Sequence, residues 1–542
     1  MHTLDRLPDD ILVLVLSALS VQDVLALRST CRYLYAVSYS PSIWLSLLSH
    51  LSLLPLPTTL PSPGQETLER LAISALRLSA NWSSPSPVPT ECTLIKGARH
   101  IDKLELLGEG RWLLALTDGE RLSLYDLGSP FPASASSSST DADAADQQEQ
   151  EQEPMRGGLS RIFRQPKRVA EYTRSTGRGW HCGFESYLEG EELFVLLSWR
   201  NQTDLLRISL SPPPPRRQSQ PQRQQFDLLQ SFERIRESAP TPTAINGRLL
   251  VYPWHSGLLR VVDYRTWEEG SVVTWNPSAG GGVAEGWSRE DPLALHLLPQ
   301  HILVLKPTSL QLFPLPALQI SPRLPSHPSA SGIGESPRPG PVWHLPFRVD
   351  AAVFSRPRLS AKTQEPLSLL MRDVDSWTLV HYRLRPTTTT TTFARPSTSS
   401  SPTDTPAPAP APYHLPPTLI TELPELAFAQ RDRHNTFALG ASGSRGLVQG
   451  LSVLRGYTAP WLAAAERELG RPRRRGASPE TGTESRRSAQ PTSDPALNEI
   501  LHNTPLRIME GGNGLSVDEP SGRIAVGEAD GDVWVFGFAV GA

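Results

Sequence analysis

Residues 4–48 read LDRLPDDILVLVLSALSVQDVLALRSTCRYLYAVSYSPSIWLSLL, and the apolar spacing of this run admits little but several short, closely spaced helices. Leu7-Pro8-Asp9-Asp10 is a helix start, with proline near the first helical position and two carboxylates at the positive end of the helix dipole. Leu12, Val15, Leu16 and Leu19 then recur at helical spacing on one apolar face. Ile11 widens that face into a stripe broad enough for two surfaces, one core and one interface. Ser20 and Asp23 have the spacing of a capping box that opens a second helix through Val24, Leu25 and Leu27. Thr30 to Ser38 is a further helical stretch with Cys31 and Leu34 expected inward, and Ser40-Pro41 caps a last turn carrying Ile43, Trp44 and Leu47. Chains below roughly 60 residues bury too little surface to be comfortable alone, so this bundle is expected to need a partner surface.

The Leu7-Pro8 pair, Ile11-Leu12, Leu16, Leu19, Asp23-Val24, Leu27-Arg28, Cys31-Arg32 and the Pro41-Ser42-Ile43-Trp44 ending stand in the register of a known module. The segment resembles an F-box, with one departure at Thr30, where that family often has valine. The resemblance implies docking on a Skp-type adaptor and, through it, on the cullin scaffold of a ubiquitin ligase. It also implies an adaptor-binding set of Leu7, Pro8, Ile11, Leu12, Leu16, Val24, Leu27 and Trp44. The ordinary alternative is an amphipathic helical hairpin belonging to the core of the next domain.

The chain has 542 residues, but 53 prolines and long Ser/Thr/Pro/Gln tracts remove much of it from any packed core, so about two folded domains are expected. A net charge of −3 argues for neither nucleic acid nor an anionic membrane as the main partner. The 3 cysteines, Cys31, Cys92 and Cys182, are widely spaced and form neither a disulfide framework nor a CxxC metal site, which fits a reducing, intracellular compartment, cytoplasmic or nuclear. The apolar run Ile11 to Leu19 is too short to span a bilayer and follows an acidic pair rather than a basic segment. The sequons at Asn81 and Asn201 then read as chance.

Residues 1–50 are therefore assigned to the helical module. Glu66 to Trp82 continues with Leu68, Leu71, Ala72, Ala75, Leu76 and Leu78 at helical spacing, a linker helix within 64–84. It resembles the helix that precedes a WD-type β-propeller in fungal-type F-box proteins. From residue 92 to 542 the period changes to short β runs paired through tight turns. Trp112 to Thr117 turns through Asp118-Gly119 into Arg121 to Asp126. Leu193 to Trp199 pairs with Asp204 to Leu210, and Leu249 to Trp254 with Leu258 to Tyr264. Ile302 to Lys306 pairs with Leu310 to Leu315, and Leu367 to Arg372 with Trp377 to Leu384. Thr436 to Gly440 pairs with Gly446 to Val453, and Arg523 to Glu528 with Val533 to Phe538. Seven hairpins result, most preceded by a further apolar run such as Ile101 to Leu107 or Gly514 to Val517, which would supply an inner strand. The fold class expected is therefore multidomain α plus β, a small helical F-box followed by an all-β propeller of seven blades. A multilayer β-sandwich would show similar hairpins. The early run Thr93 to Lys96 has no partner of its own and is expected to complete the sheet of the last hairpin, closing a ring. Low-complexity inserts at 128–158, 211–225, 322–340, 385–417 and 471–495 are expected to be disordered and dispensable for stability, and Ala459 to Leu469 is a candidate helix.

Catalytic patterns are weak. Gly440 to Gly446 is glycine-rich but lies between two β runs, so it reads as a hairpin loop rather than a phosphate cradle. His181-Cys182 are neighbours on a strand and point to opposite faces. Glu191-Glu192, Glu268-Glu269 and Asp9-Asp10 fall at expected turns or helix starts, where solvation is the ordinary role. No catalytic residue, metal ligand or cofactor site is nominated. Pro212 to Arg217 and the arginines at 471–475 have the composition of a polyproline ligand and a nuclear-import patch, but such short motifs recur by chance and a solvated linker is the preferred reading of each. The expectation is a non-enzymatic substrate receptor of an SCF-type ligase whose propeller binds a target protein that the sequence does not identify, with neither nucleic acid nor membrane as partner. The alternative is a scaffold that uses both modules for assembly outside any ligase.

Overall fold

A computed structural model of the chain describes residues 7–50, 65–82, 84, 87–97, 100–128, 166–173, 183–198, 202–211, 225–233, 243–255, 258–274, 291–318, 340–356, 365–387, 411–423, 437–449, 454–458, 497–499, 514–528 and 531–538. The candidate helix at 459–469, His181-Cys182, Pro212 to Arg217 and most of each proposed insert lie outside these residues.

Four helices open the chain: α1 (Asp9–Ser17), α2 (Val21–Arg28), α3 (Arg32–Val37) and α4 (Pro41–His50). Their ends follow the local chemistry. Pro8 caps α1, and the Ser20 hydroxyl accepts the Asp23 N–H at 3.1 Å while donating to its carboxylate at 2.8 Å. Cys31, expected inward, is instead the exposed N-cap of α3, its Sγ accepting the Leu34 N–H, so only Leu34 turns into the core. A fifth helix, α5 (Gln65–Trp82), does more than set a distance. Leu68, Leu71, Ala72 and Ala75 share one core with Leu16, Val21, Val24, Ile43, Trp44, Leu47 and Leu48. Part of the partner surface that the small bundle needed is therefore supplied by its own chain.

Among the described residues the β strands form seven antiparallel sheets of four. Six use consecutive strands. They are β2 (Ile101–Leu107), β3 (Trp112–Thr117), β4 (Arg121–Asp126) and β5 (Lys167–Thr173); then β6 (Gly183–Glu189), β7 (Glu192–Ser198), β8 (Gln202–Ser209) and β9 (Asp227–Glu233). Next come β10 (Ala244–Asn246), β11 (Leu249–His255), β12 (Leu258–Asp263) and β13 (Glu268–Val273); then β14 (Ala294–Leu297), β15 (His301–Lys306), β16 (Ser309–Pro314) and β17 (Val342–His344). The last two are β18 (Val349–Phe354), β19 (Leu367–Asp373), β20 (Leu379–Leu384) and β21 (Thr418–Leu423), and β22 (Phe437–Leu439), β23 (Arg445–Gln449), β24 (Leu454–Thr458) and β25 (Leu497–Glu499). The remaining sheet joins the two ends of the domain: β26 (Leu515–Asp518), β27 (Arg523–Gly527) and β28 (Val533–Gly537) are completed by β1 (Glu91–Ile95). The inner strands touch in the cyclic order β2, β6, β10, β14, β18, β22, β26 and back to β2, so the sheets form a closed β-propeller.

Closure follows the expected pairing, Thr93 opposite Val535 and Cys92 opposite Phe536. The chains meet so closely that a Cβ on Gly97 would lie 1.8 Å from the Gly531 carbonyl oxygen. Six of the seven expected hairpins are the second and third strands of a sheet, whereas Thr436 to Gly440 with Gly446 to Val453 falls on the first and second, β22 and β23, because the third strand β24 follows a few residues later. Asp118 and Gly119 both take positive φ, as a tight two-residue hairpin turn requires. One insert boundary differs from expectation. Residues 411–417 are not a loop detached from the core: Tyr413 is buried, bridges to Pro386 and donates its hydroxyl to the Glu365 carbonyl at 2.9 Å.

Candidate functional site

Helix α1 is apolar almost all round, and folding divides it into two stripes. Leu12 and Leu16 are buried, whereas Ile11 is 44% exposed, Leu14 67% and Val15 39%. Pro8 and Ala18 extend the outer stripe at the two ends of the helix. This is an unusual density of exposed aliphatic surface on nine residues. The Tyr33 hydroxyl donates to the Asp9 carboxylate at 2.6 Å and ties α3 to the start of α1. Beside them, the Arg28 guanidinium lies 4.6 and 4.3 Å from the ring centres of Tyr35 and Tyr39 and pairs with Glu69 of α5 at 2.6 Å.

The eight residues nominated for adaptor binding separate by burial. Pro8 and Ile11 are exposed, and Leu7 and Leu27 are half-buried. Leu12, Leu16, Val24 and Trp44 are buried, with the Trp44 indole N–H donating to the Ser38 carbonyl at 2.9 Å. These four shape the bundle from inside. Leu14 was not nominated, although Ile11, Leu14, Val15 and Ala18 have helical spacing of their own.

The far end of α5 is set into the propeller. Leu78 and Trp82 share a core with Cys92, Leu447, Ile524, Val526, Phe536 and Phe538. Trp82 meets Phe538 edge-on at 5.7 Å, and the buried Arg445 lies 5.5 Å from its ring centre while donating to the Ser79 hydroxyl at 3.3 Å. Gly522 takes φ +66° where a Cβ would stand 2.3 Å from Leu78. At about 1.5 Å per residue an 18-residue helix is roughly 27 Å long, so α5 fixes the outer stripe of α1 relative to the ring. Asn81, read as half of a chance sequon, donates its amide to the carbonyls of Val88 and Phe538 at 2.8 and 3.1 Å.

Inside the ring, Arg356 lies two residues past β18 and pairs with Glu105 of β2 and Glu185 of β6, while Lys103 reaches Glu185 at 2.9 Å. Two cations and two carboxylates thus brace opposite sides of the ring with no net charge. His296, on inner strand β14, packs 5.4 Å from Phe354. Burial pushes its imidazole down from 6.5 to about 4. As pH falls below that upper value the unfolded chain takes a proton that the folded chain refuses, so stability is lost until the folded pKa is reached. Wild type is expected to lose about 1–2 kcal/mol at pH 5 relative to His296→Gln, with the difference absent at pH 7.5. Urea unfolding of both proteins at the two pH values checks this, and a pH-independent difference would contradict it.

Among the described residues no three His, Cys, Asp or Glu side chains gather as a metal site would. No helix among them is long and apolar enough to cross a membrane.

Residues 4–50 match the F-box-like family. The N-terminal bundle is an F-box-like module. Solved structures similar to the chain include the following two. One is the Myceliophteria thermophila Cps50 (Swd1) β-propeller domain, at 11% identity and TM-score 0.38, covering 82% of this chain and 98% of that one. The other is the WD40 domain of SCAP from fission yeast, at 8% identity and TM-score 0.39, covering 81% and 85%. Neither likeness carries an argument at those scores, and the propeller rests on this chain's own strand pairing. No curated protein matches the chain. An F-box-like module fixed to a propeller is an arrangement for protein–protein interaction.

Proposed function

We propose that this chain is the substrate-recognition subunit of an SCF-type cullin-RING ubiquitin ligase, its F-box-like module docking a Skp-type adaptor and its propeller binding a target protein. The observation that carries the reading is the exposed aliphatic stripe Ile11, Leu14 and Val15, on a module whose opposite face is already packed. Surface of that kind is ordinarily covered by another protein. The seating of α5 in both cores supports the same reading, because a receptor acts by proximity. Holding a target lysine near a loaded ubiquitin carrier raises its effective concentration, and a rigid spacer preserves that gain. The bond-making step belongs to the partners, and no catalytic residue is assigned to this chain.

Affinity purification of the full chain beside its Ile11→Asp, Leu14→Asp variant tests the proposal. Wild type is expected to retain both adaptor and cullin, and the variant to lose both while keeping its target. Adaptor without cullin on the wild-type chain would establish the scaffold reading instead. Retention of adaptor by the variant would overturn the assignment of the docking face. Deleting the module is a poorer control, since Leu68, Leu71, Ala72 and Ala75 of α5 would lose their packing.

A further inference from the structure

Arginine stands almost everywhere that this chain carries a positive charge, with 47 arginines against 5 lysines. Lysine is ordinarily among the commonest residues of a soluble protein. The helical module and α5 hold none, and the inserts 128–158, 211–225, 322–340, 385–417 and 471–495 hold 14 arginines and no lysine. Forked pairing and stacking explain arginine at some folded positions. Arg372 grips Asp350 at 2.8 and 2.9 Å, and Arg28 lies over Tyr35 and Tyr39. The serine-, proline- and glutamine-rich composition of the inserts offers no such role, and a lysine there would carry the same charge.

The lysines of the folded parts divide by access. Lys103 is drawn into the ring, where it pairs with Glu185 at 2.9 Å and donates to the Phe184 carbonyl. Lys306 is buried and donates to the Thr274 carbonyl at 2.6 Å. Both ammonium groups are committed to partners. Lys96, just past β1, and Lys167, the first residue of β5, are the two exposed lysines among the described residues, and Lys362 lies outside these.

The chemistry of ubiquitin transfer gives this distribution a meaning. An unprotonated lysine amine attacks the thioester that joins ubiquitin to its carrier. The C–N bond of an isopeptide forms, the C–S bond breaks, and the proton of the amine leaves with the carrier thiol. A guanidinium stays protonated and cannot act as that nucleophile. Proximity does not discriminate: the effective concentration given to a target lysine is given equally to lysines of the receptor that holds it. A receptor of ordinary lysine content would be modified by its own ligase.

We propose that the replacement of lysine by arginine spares this chain from the ligase it serves, and that Lys96 and Lys167 are its sites of residual self-ubiquitination. The inference rests on the receptor reading and adds which residues of the receptor accept ubiquitin.

The test is reconstitution of the full-length chain with Skp-type adaptor, cullin, RING subunit, activating enzyme, ubiquitin carrier, ubiquitin and ATP, in the absence of any target. Capture of adaptor and cullin is measured first. Wild type is compared with an enriched variant carrying Arg216→Lys, Arg217→Lys, Arg473→Lys, Arg474→Lys and Arg475→Lys, which keeps the net charge, and with Lys96→Arg, Lys167→Arg. The enriched variant is expected to be ubiquitinated faster than wild type by about fivefold or more, with the new linkages at the substituted positions. Wild-type linkages, mapped by mass spectrometry, are expected at Lys96 and Lys167 and not at Lys103 or Lys306, and Lys96→Arg, Lys167→Arg should lose most of the wild-type rate. In a complex shown to be assembled, equal rates for wild type and the enriched variant would overturn the sparing. Wild-type linkages confined to other lysines, or none at all, would overturn the two sites. Either result leaves the receptor reading intact, whereas failure of the chain to capture cullin overturns both.

Discussion

A chain ending at Ser521 is expected to be insoluble or rapidly cleaved by protease. The deletion removes β27 and β28, which are the partners of β26 and β1. It also takes away the buried side chains of Ile524, Val526, Val533, Val535, Phe536 and Phe538. Single losses of large core side chains cost about 2–5 kcal/mol, so several together exceed the roughly 5–15 kcal/mol that holds a domain folded. The opened ring would also expose strand edges that template aggregation. The effect extends beyond the propeller, because Phe538 is part of the socket of Trp82 and its carbonyl accepts from Asn81. Sedimentation and limited proteolysis of the truncated chain check the expectation. A soluble monomer with wild-type protease resistance would mean that the ring does not depend on its closing strands.

The second large effect is expected at the junction of α5 and the ring. Trp82→Ala empties a site between Phe538, Leu78 and Arg445, and substitutions of that size in cores cost about 3–5 kcal/mol. Arg445 would lose the aromatic face beside its buried guanidinium. At roughly 2–4 °C per kcal/mol the thermal midpoint should fall by about 6–20 °C, and Trp82→Phe should recover much of it. Hydrogen exchange should rise in α5 and in β27 together, since one core holds both. A midpoint shift under 2 °C would show that the helix merely rests on the propeller.

Much of this architecture was legible in local pattern. In the first hairpin β3 carries a continuous apolar run and β4 an alternating one, both bounded by turn residues, and Asp118-Gly119 specifies its turn directly. The lone run at Thr93 found its partner because a ring leaves no unpaired strand. The outer strands were harder to read. Lys167–Thr173 and Thr418–Leu423 bury one residue each and carry no apolar alternation, so only their pairing makes them strands. In α1 the difficulty was the reverse. Apolar residues at nearly every position cannot say which stripe faces inward, and Val15, grouped with Leu12 and Leu16, turned outward while Leu14 went unnominated. The brace from Arg356 to Glu105 and Glu185 assembles residues from separate sheets, and local spacing holds no record of such meetings. Nor does it record that Glu269, expected at a solvated turn, lies on β13 and faces Arg260, Nε to Oε2 at 3.4 Å.

The account turns on whether the outer stripe of α1 is a docking face. Titration of the purified full-length chain with a purified Skp-type adaptor, followed by calorimetry, measures that directly. The prediction is a one-to-one complex for wild type. For Ile11→Asp, Leu14→Asp, loss of two anchors at about 2 kcal/mol each predicts affinity weakened by about a thousandfold, with an unchanged circular dichroism spectrum. Absence of any complex with wild type, or equal affinity of the folded variant, would contradict it.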